Sequence, residues 1–189
     1  LYTGNGSARS LTGVGFQPDW VWFKPRSDTD NHVLIDSTRG GTKYIMSNRN
    51  DAELTEAQGI SSFDADGYSI GNWTNINENT ETYVAWNWKA NGGTTSSNSE
   101  GTTTATVQAN TTAGFSIVKY AGNSSSRTVG HGLDSAPEWV IVKSLTDAER
   151  FVIFHTSISD QYIYLNETFA GATGNADERF GDSSSVVVP

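Results

Sequence analysis

The chain has 189 residues, a net charge of −9, 35% hydrophobic and 17% charged residues, six tryptophans and no cysteine. Such an acid-rich balance argues against nucleic acid as a partner, because a phosphate backbone needs clustered Lys and Arg. The lack of cysteine excludes disulfides, thiolate metal sites and cysteine nucleophiles, and no stretch approaches the roughly 20 apolar residues of a membrane-spanning helix, so no membrane insertion is expected.

Gly, Ser, Thr and Asn fill the spaces between short apolar runs, the make-up of many strands joined by turns. Tyr2 to Thr12 reads as a turn region with Arg9 its one cation. Phe16 to Lys24 predicts the first strand, entered through Pro18, which has no N–H to give a ladder. Alternation places Trp20, Trp22 and Lys24 on one face and Val21 and Phe23 on the other. With both faces apolar the strand is expected to be central, and the tryptophan pair reads as core or covered sheet before it reads as a sugar-stacking platform.

Pro25 to Asn31 is a polar turn and His32 to Ser37 the next strand. Arg39-Gly-Gly41 then leads into Lys43 to Met46. This Gly-Gly pair lacks the strand, loop and helix context and the Lys-Ser/Thr ending of a phosphate loop, so a hairpin is expected there. Asn48 to Gly59, with Asp51, Glu53 and Glu56 among alanines, predicts one helical turn. In Ser62 to Gly71, Asp66-Gly67 sits among the apolar residues Phe63, Tyr68 and Ile70, a strong hairpin signal.

Asp64-Ala-Asp66-Gly67 also resembles the opening of a calcium loop, but position 12 of such a loop, usually Glu, falls on Asn75, so a plain turn and no metal are expected. Trp73 lies in an Asn/Thr-rich stretch. It is expected to act as a lid over the core, yet is the aromatic best placed to stack on a ligand if exposed. Trp73, Asp64 and Asp66 are therefore the candidate ligand contacts for a glycan or an ion. Tyr83 to Lys89 closes this half with a further strand.

Asn91 to Thr103 has the composition of a flexible linker. Strands are expected again at Thr104 to Gln108, Phe115 to Tyr120, around Trp139, at Phe151 to His155, at Tyr162 to Asn166 and from Val186. Several of these repeat earlier ones. Pro18-Asp-Trp-Val-Trp-Phe-Lys24 returns as Pro137-Glu-Trp-Val-Ile-Val-Lys143, at an offset of 119. Tyr2 to Arg9 pairs with Tyr120 to Arg127, His32 to Ser37 with Phe151 to Thr156, and Lys43 to Asn48 with Gln161 to Asn166.

The period far exceeds the 20 to 50 or so residues of solenoid units. It predicts a duplicated domain: residues 1–90, a linker at 91–103, and residues 104–189. The strand at Gly114 to Tyr120 has no counterpart after Leu1, and Thr82 to Lys89 none before Pro189, so each copy is expected to lack a strand and the chain to be a window on a longer repeat-bearing one. The fold expected is all-β, with two tandem antiparallel β-sandwiches of lectin-like or jelly-roll-like form.

Catalytic patterns are sparse. No Gly-x-Ser-x-Gly elbow is present, and His32, His131 and His155 are isolated in sequence. Asp64, Asp66, Glu78 and Glu81 all sit in turn-like sequence rather than in an evident carboxylate pair of the kind glycosidases need. No catalytic residues and no cofactor are therefore assigned. Four motifs carry a resemblance: Gly15 to Lys24, Asp36-Ser-Thr-Arg-Gly-Gly-Thr-Lys-Tyr44, Ser62-Phe-Asp-Ala-Asp-Gly67 and Tyr83-Val-Ala-Trp-Asn-Trp-Lys89.

Together they resemble a repeated β-rich domain of unknown function found in tail-fibre and other appendage proteins of marine, cyanophage-like bacteriophages. That resemblance implies a non-enzymatic structural protein at a virion surface, presenting or extending a host-adhesion surface. Its implied partners are other virion proteins, further copies of itself in a homo-oligomer such as a trimer, and a host cell-surface glycan. A carbohydrate-binding lectin-like module and a polysaccharide-degrading enzyme stay open as alternatives.

Overall fold

The computed structural model describes residues 1–123, 125–158 and 161–168, and the strand expected from Val186 lies outside them. The chain is all-β and divides into two compact units, residues 1–93 with 144–149, and the remainder.

Unit 1 contains β1 (Tyr2–Thr3), β2 (Arg9–Thr12), β3 (Trp20–Pro25), β4 (Val33–Asp36), β5 (Lys43–Met46), β6 (Leu54–Thr55), β7 (Ile60–Asp64), β8 (Gly67–Ile70), α1 (Thr74–Asn77) and β9 (Thr82–Trp88). One antiparallel sheet has the order β1-β9-β3-β4-β5-β6, and a second has β2-β8-β7. They face each other across one core. Val21, Phe23, Val33 and Ile35 of the large sheet meet Ile60, Tyr68 and Ile70 of the small one, with Ile76 of α1 beside them. Phe23 stands edge-on to Tyr68 at 5.5 Å, and pairing with both β4 and β9 makes β3 the interior strand that its two apolar faces predict.

The Asp66-Gly67 signal becomes the β7–β8 hairpin. Gly67 has φ +152°, and a Cβ there would lie 2.0 Å from the Leu11 carbonyl oxygen, so β2 pairs this closely only against glycine. Arg39-Gly-Gly41 likewise joins β4 to β5.

The stretch Tyr2 to Thr12, expected as a turn region, holds β1 and β2, which pair with β9 and β8. Two further local expectations change. Asn48 to Gly59 holds β6 instead of a helical turn: Lys43 pairs with Thr55, the Glu56 N–H donates to the Thr42 carbonyl, and the Glu53 N–H donates to the Leu145 carbonyl. Tertiary partners outweigh the small helix propensity of a few alanines. The helix forms in the Asn/Thr-rich stretch after Trp73, whose carbonyl accepts the Asn77 N–H at 2.8 Å.

Unit 2 contains β10 (Ser96–Asn98), β11 (Ala105–Asn110), β12 (Phe115–Tyr120), β13 (Trp139–Val142), β14 (Val152–His155) and β15 (Ile163–Tyr164). These make two three-stranded antiparallel sheets, β10-β11-β12 and β13-β14-β15. Ala105, Val107, Leu133, Phe151, Ile153 and Phe154 are buried. β10 lies inside the stretch whose composition reads as linker, because ladder bonds use the backbone and ask little of Ser and Asn side chains.

Some contacts of unit 1 have a like contact 118 or 119 residues further along the chain. Trp20 pairs with Asp36, and Trp139 with His155. The Ser37 N–H donates to the Asp19 carbonyl at 2.8 Å, and the Thr156 N–H to that of Glu138 at 3.0 Å. The His32 N–H reaches Asn48 Oδ1 at 3.0 Å, and that of Phe151 reaches Asn166 Oδ1 at 3.3 Å. Arg9 caps the Thr3 carbonyl as Arg127 caps that of Ala121.

Candidate functional site

The three residues singled out from sequence have structural partners. Asp66 Oδ1 accepts the Gly15 N–H at 2.6 Å and Oδ2 that of Gly13 at 3.0 Å, fastening the turn after β2 to the hairpin. Those two N–H groups, Gly15 first, hold its carboxyl below the usual range. Asp64 accepts the Ser69 hydroxyl at 2.9 Å, and that hydroxyl lies 2.8 Å from Ser10 Oγ. Trp73 is half-buried against the core with its ring on Tyr44 at 4.6 Å, which makes it a lid.

Glu81 accepts the Ser27 hydroxyl, while Glu78 approaches Asp28 and Asp30, with one oxygen from each of the three within 4.8 Å of the others. These carboxylates are exposed or half-exposed, and nothing else at the cluster points to an ion. In unit 2, Glu100 and Asp134 border an open cleft of about 350 Å³ together with Asn98, Gly132 and Leu133.

The concentrated feature of unit 1 is the outer face of its large sheet. Because β3 and β9 pair Trp20 with Trp88, Trp22 with Trp86 and Lys24 with Val84, these side chains share the face opposite the core. Trp20 and Trp88 stand 4.6 Å apart between ring centres, Trp20 and Trp22 6.1 Å, and Trp22 and Trp86 5.9 Å in an edge-to-face contact. Trp86 is 46% exposed. On the reverse of β3 Val21 and Phe23 are fully buried, so the sheet that carries the indoles is backed by the core.

Polar groups border this face. Trp22 Nε1–H donates to His32 Nδ1 at 3.2 Å, which requires a neutral imidazole at that nitrogen. Burial, and then the charge of Lys24, lower the His32 pKa and favour that neutral form. The His32 N–H is held by Asn48 Oδ1, and the Asn48 amide donates in turn to Asn31 Oδ1 at 2.9 Å. Lys24 Nζ donates to the carbonyls of Pro25 and Asp28.

Two buried charges hold the sheet in place. The Arg39 guanidinium bridges Asp36 at 2.5 Å and Glu53 at 3.2 Å and donates to the Leu34 carbonyl, so the Arg-Gly-Gly turn already has its anions within the fold. Asp19 is 0% exposed. Its carboxylate accepts the N–H groups of Ala90, Gly92 and Gly93 and the Ser37 hydroxyl, at 2.7 to 2.9 Å. Gly92 and Gly93, at φ +61° and +78°, curl the backbone so that its donors converge on the acid.

Sequence reasoning missed this latch, since Asp19 and Gly93 lie 74 residues apart and no local pattern joins them. It ranked Trp20 and Trp22 as core or covered sheet, and the structure leaves both half-buried with Trp86 exposed beside them, because strand alternation reports which residues share a face but not what lies over it. Neither the curated proteins nor the solved structures contain a match to the chain. Residues 1–188 match the family described as Domain of unknown function (DUF7483), and the chain belongs to that family.

Proposed function

We propose that the chain is a non-catalytic adhesion module whose outer sheet face, centred on Trp86 and Trp22, stacks against sugar rings of a cell-surface glycan. The observation that carries this reading is the large exposure of Trp86 on a sheet braced from behind by a closed core. Indole presents a flat apolar surface suited to the C–H face of a pyranose, and the Asn31, Asn48, His32 and Lys24 groups beside it suit its hydroxyls.

Covering about 100 Å² of indole is worth roughly 2.5 kcal/mol. One such contact falls short of the about 4 kcal/mol that millimolar affinity requires, even before the cost of association is counted. Useful adhesion then calls for several copies held together, which a repeated module in an oligomeric appendage supplies. The setting implied by the resemblance is the surface of a virion appendage such as a tail fibre.

The test is binding of the purified chain to an array of bacterial surface polysaccharides, in parallel with Trp86→Ala. Selective binding by the parent and its loss in a folded Trp86→Ala variant is the expected result. Binding that survives Trp86→Ala, or release of reducing sugar, would contradict the proposal.

A further inference from the structure

β3 runs between β4 and β9, so its outer side chains lie within the sheet and away from its edges. Trp22 and Lys24 are two residues apart on that face, a spacing of about 7 Å along a strand. Across the ladder Lys24 pairs with Val84, which puts Trp86 on the diagonal, again about 7 Å away. One ammonium therefore stands about a sugar's width from both indoles.

Lys24 is held there without being neutralised. Its Nζ donates to the carbonyls of Pro25 and Asp28, at 2.6 and 3.1 Å, and an ammonium has three N–H groups to give. Arg39, Arg49 and Arg150 have carboxylate partners, whereas among the described residues no carboxylate lies within ion-pair distance of Lys24.

The nearby acids are turned elsewhere. Asp28 and Asp30 gather their carboxylates against Glu78. Tyr83, buried on the core side of β9, has its pKa raised by burial and, after that, by the charges of Glu78, Glu81 and Asp30. On the outer face His32 responds to burial first and then to Lys24, and Lys24 is the charge that reaches it. Beside the indoles the field is thus positive, in a chain whose net charge is −9.

We propose that the sugar bound on this face is acidic: a uronic-acid residue whose ring lies on Trp86 and Trp22 and whose carboxylate meets the Lys24 ammonium. This rests on the glycan-binding reading above and names its substrate class. A compact ammonium matches a single carboxylate, and a neutral sugar would leave that charge without a counterpart. Because the chain as a whole repels polyanions, a preference for the charged sugar reports this local cation and not a general attraction.

The test measures retention of the intact chain on immobilised polygalacturonate, alginate and hyaluronate, each beside its carboxyl-reduced, neutral form. At least one uronate polymer should hold the parent about threefold or more tightly than its reduced form, a gap that closes as salt rises from about 0.1 M to about 1 M. A folded Lys24→Gln variant should bind both forms equally, at the parent's affinity for the neutral one. Lys119→Gln, which removes an exposed cation of unit 2, should keep the parent's preference.

Should Lys24→Gln fail to fold, the salt dependence of the parent's preference decides. Equal retention of charged and reduced forms, a preference indifferent to salt, or one that survives in Lys24→Gln would overturn the proposal while leaving glycan binding in place. No retention on any of these polymers, charged or reduced, would overturn both.

Discussion

Replacing Asp19 with Ala tests the latch that ties residues 90–93 to the start of β3. The carboxylate is fully buried and serves four donors, three of them backbone N–H groups. Hydrogen bonds to a charged group are each worth about 1.5 to 3 kcal/mol, but removing the acid also removes its own desolvation cost. The turn at Asn91, Gly92 and Gly93 is exposed and can rehydrate, whereas Ala90 is 4% exposed and its N–H cannot without opening the turn.

The net loss expected is about 3 kcal/mol, a large part of the 5 to 15 or so kcal/mol that stabilises a typical domain. At about 4 to 8 °C per kcal/mol for a unit of this size, the midpoint should fall by more than about 10 °C. Five of the six tryptophans lie in unit 1, so urea unfolding followed by tryptophan fluorescence reads that unit selectively. Glu138→Ala is the internal control. It removes the matching acid where it is exposed, and no measurable change is expected. A loss below about 1 kcal/mol for Asp19→Ala, or an equal loss for Glu138→Ala, would refute the reasoning.

Arg39→Leu should cost about 3 to 5 kcal/mol, because it leaves the buried Asp36 and the largely buried Glu53 without their shared cation. Urea unfolding checks this, and a cost near zero would contradict a buried bridge. His32 has its pKa lowered by burial and then by Lys24, so as pH falls below 6.5 the unfolded chain takes up the proton before the folded one does. Stability should therefore decline from pH 6.5 downwards. His32→Gln, which keeps an acceptor for Trp22, should flatten that decline, and an unchanged profile would count against the assignment.

Burial raises Tyr2 and Tyr68 above their ordinary value and pushes Tyr83 up to about 12. Their contribution is complete below pH 10 and lost as pH rises towards the folded values. Tyrosinate absorbance from these residues should therefore appear together with loss of far-ultraviolet dichroism, and independent early ionisation would contradict the burial.

Much of the fold was legible because its signals are local. Alternation in Trp20 to Lys24 names the two faces of β3, and Asp66-Gly67 marks the hairpin that Gly67 makes compatible with the close pass of Leu11. Features set by distant partners were not legible. β6 owes its form to β5 and to Leu145, and the latch on Asp19 draws its three backbone donors from residues more than 70 positions away.

The candidate site shows the same division. Asp64, Asp66 and Trp73 look available in a turn-rich stretch, yet Ser69, Gly13, Gly15 and Tyr44 engage them. Trp86 belongs to a strand apolar on both faces, and only the packing of the small sheet against one of them leaves the other outward.

The most direct test of an adhesive tryptophan face is the indole N–H spectrum of the nitrogen-15-labelled chain, titrated with an array-selected glycan and assigned by Trp→Phe substitutions. The account predicts shifts at Trp86 and Trp22 that saturate together, with Trp73 unmoved beneath its lid position on Tyr44. Shifts confined to Trp73 or Trp139, or none at glycan concentrations well into the millimolar range, would contradict it.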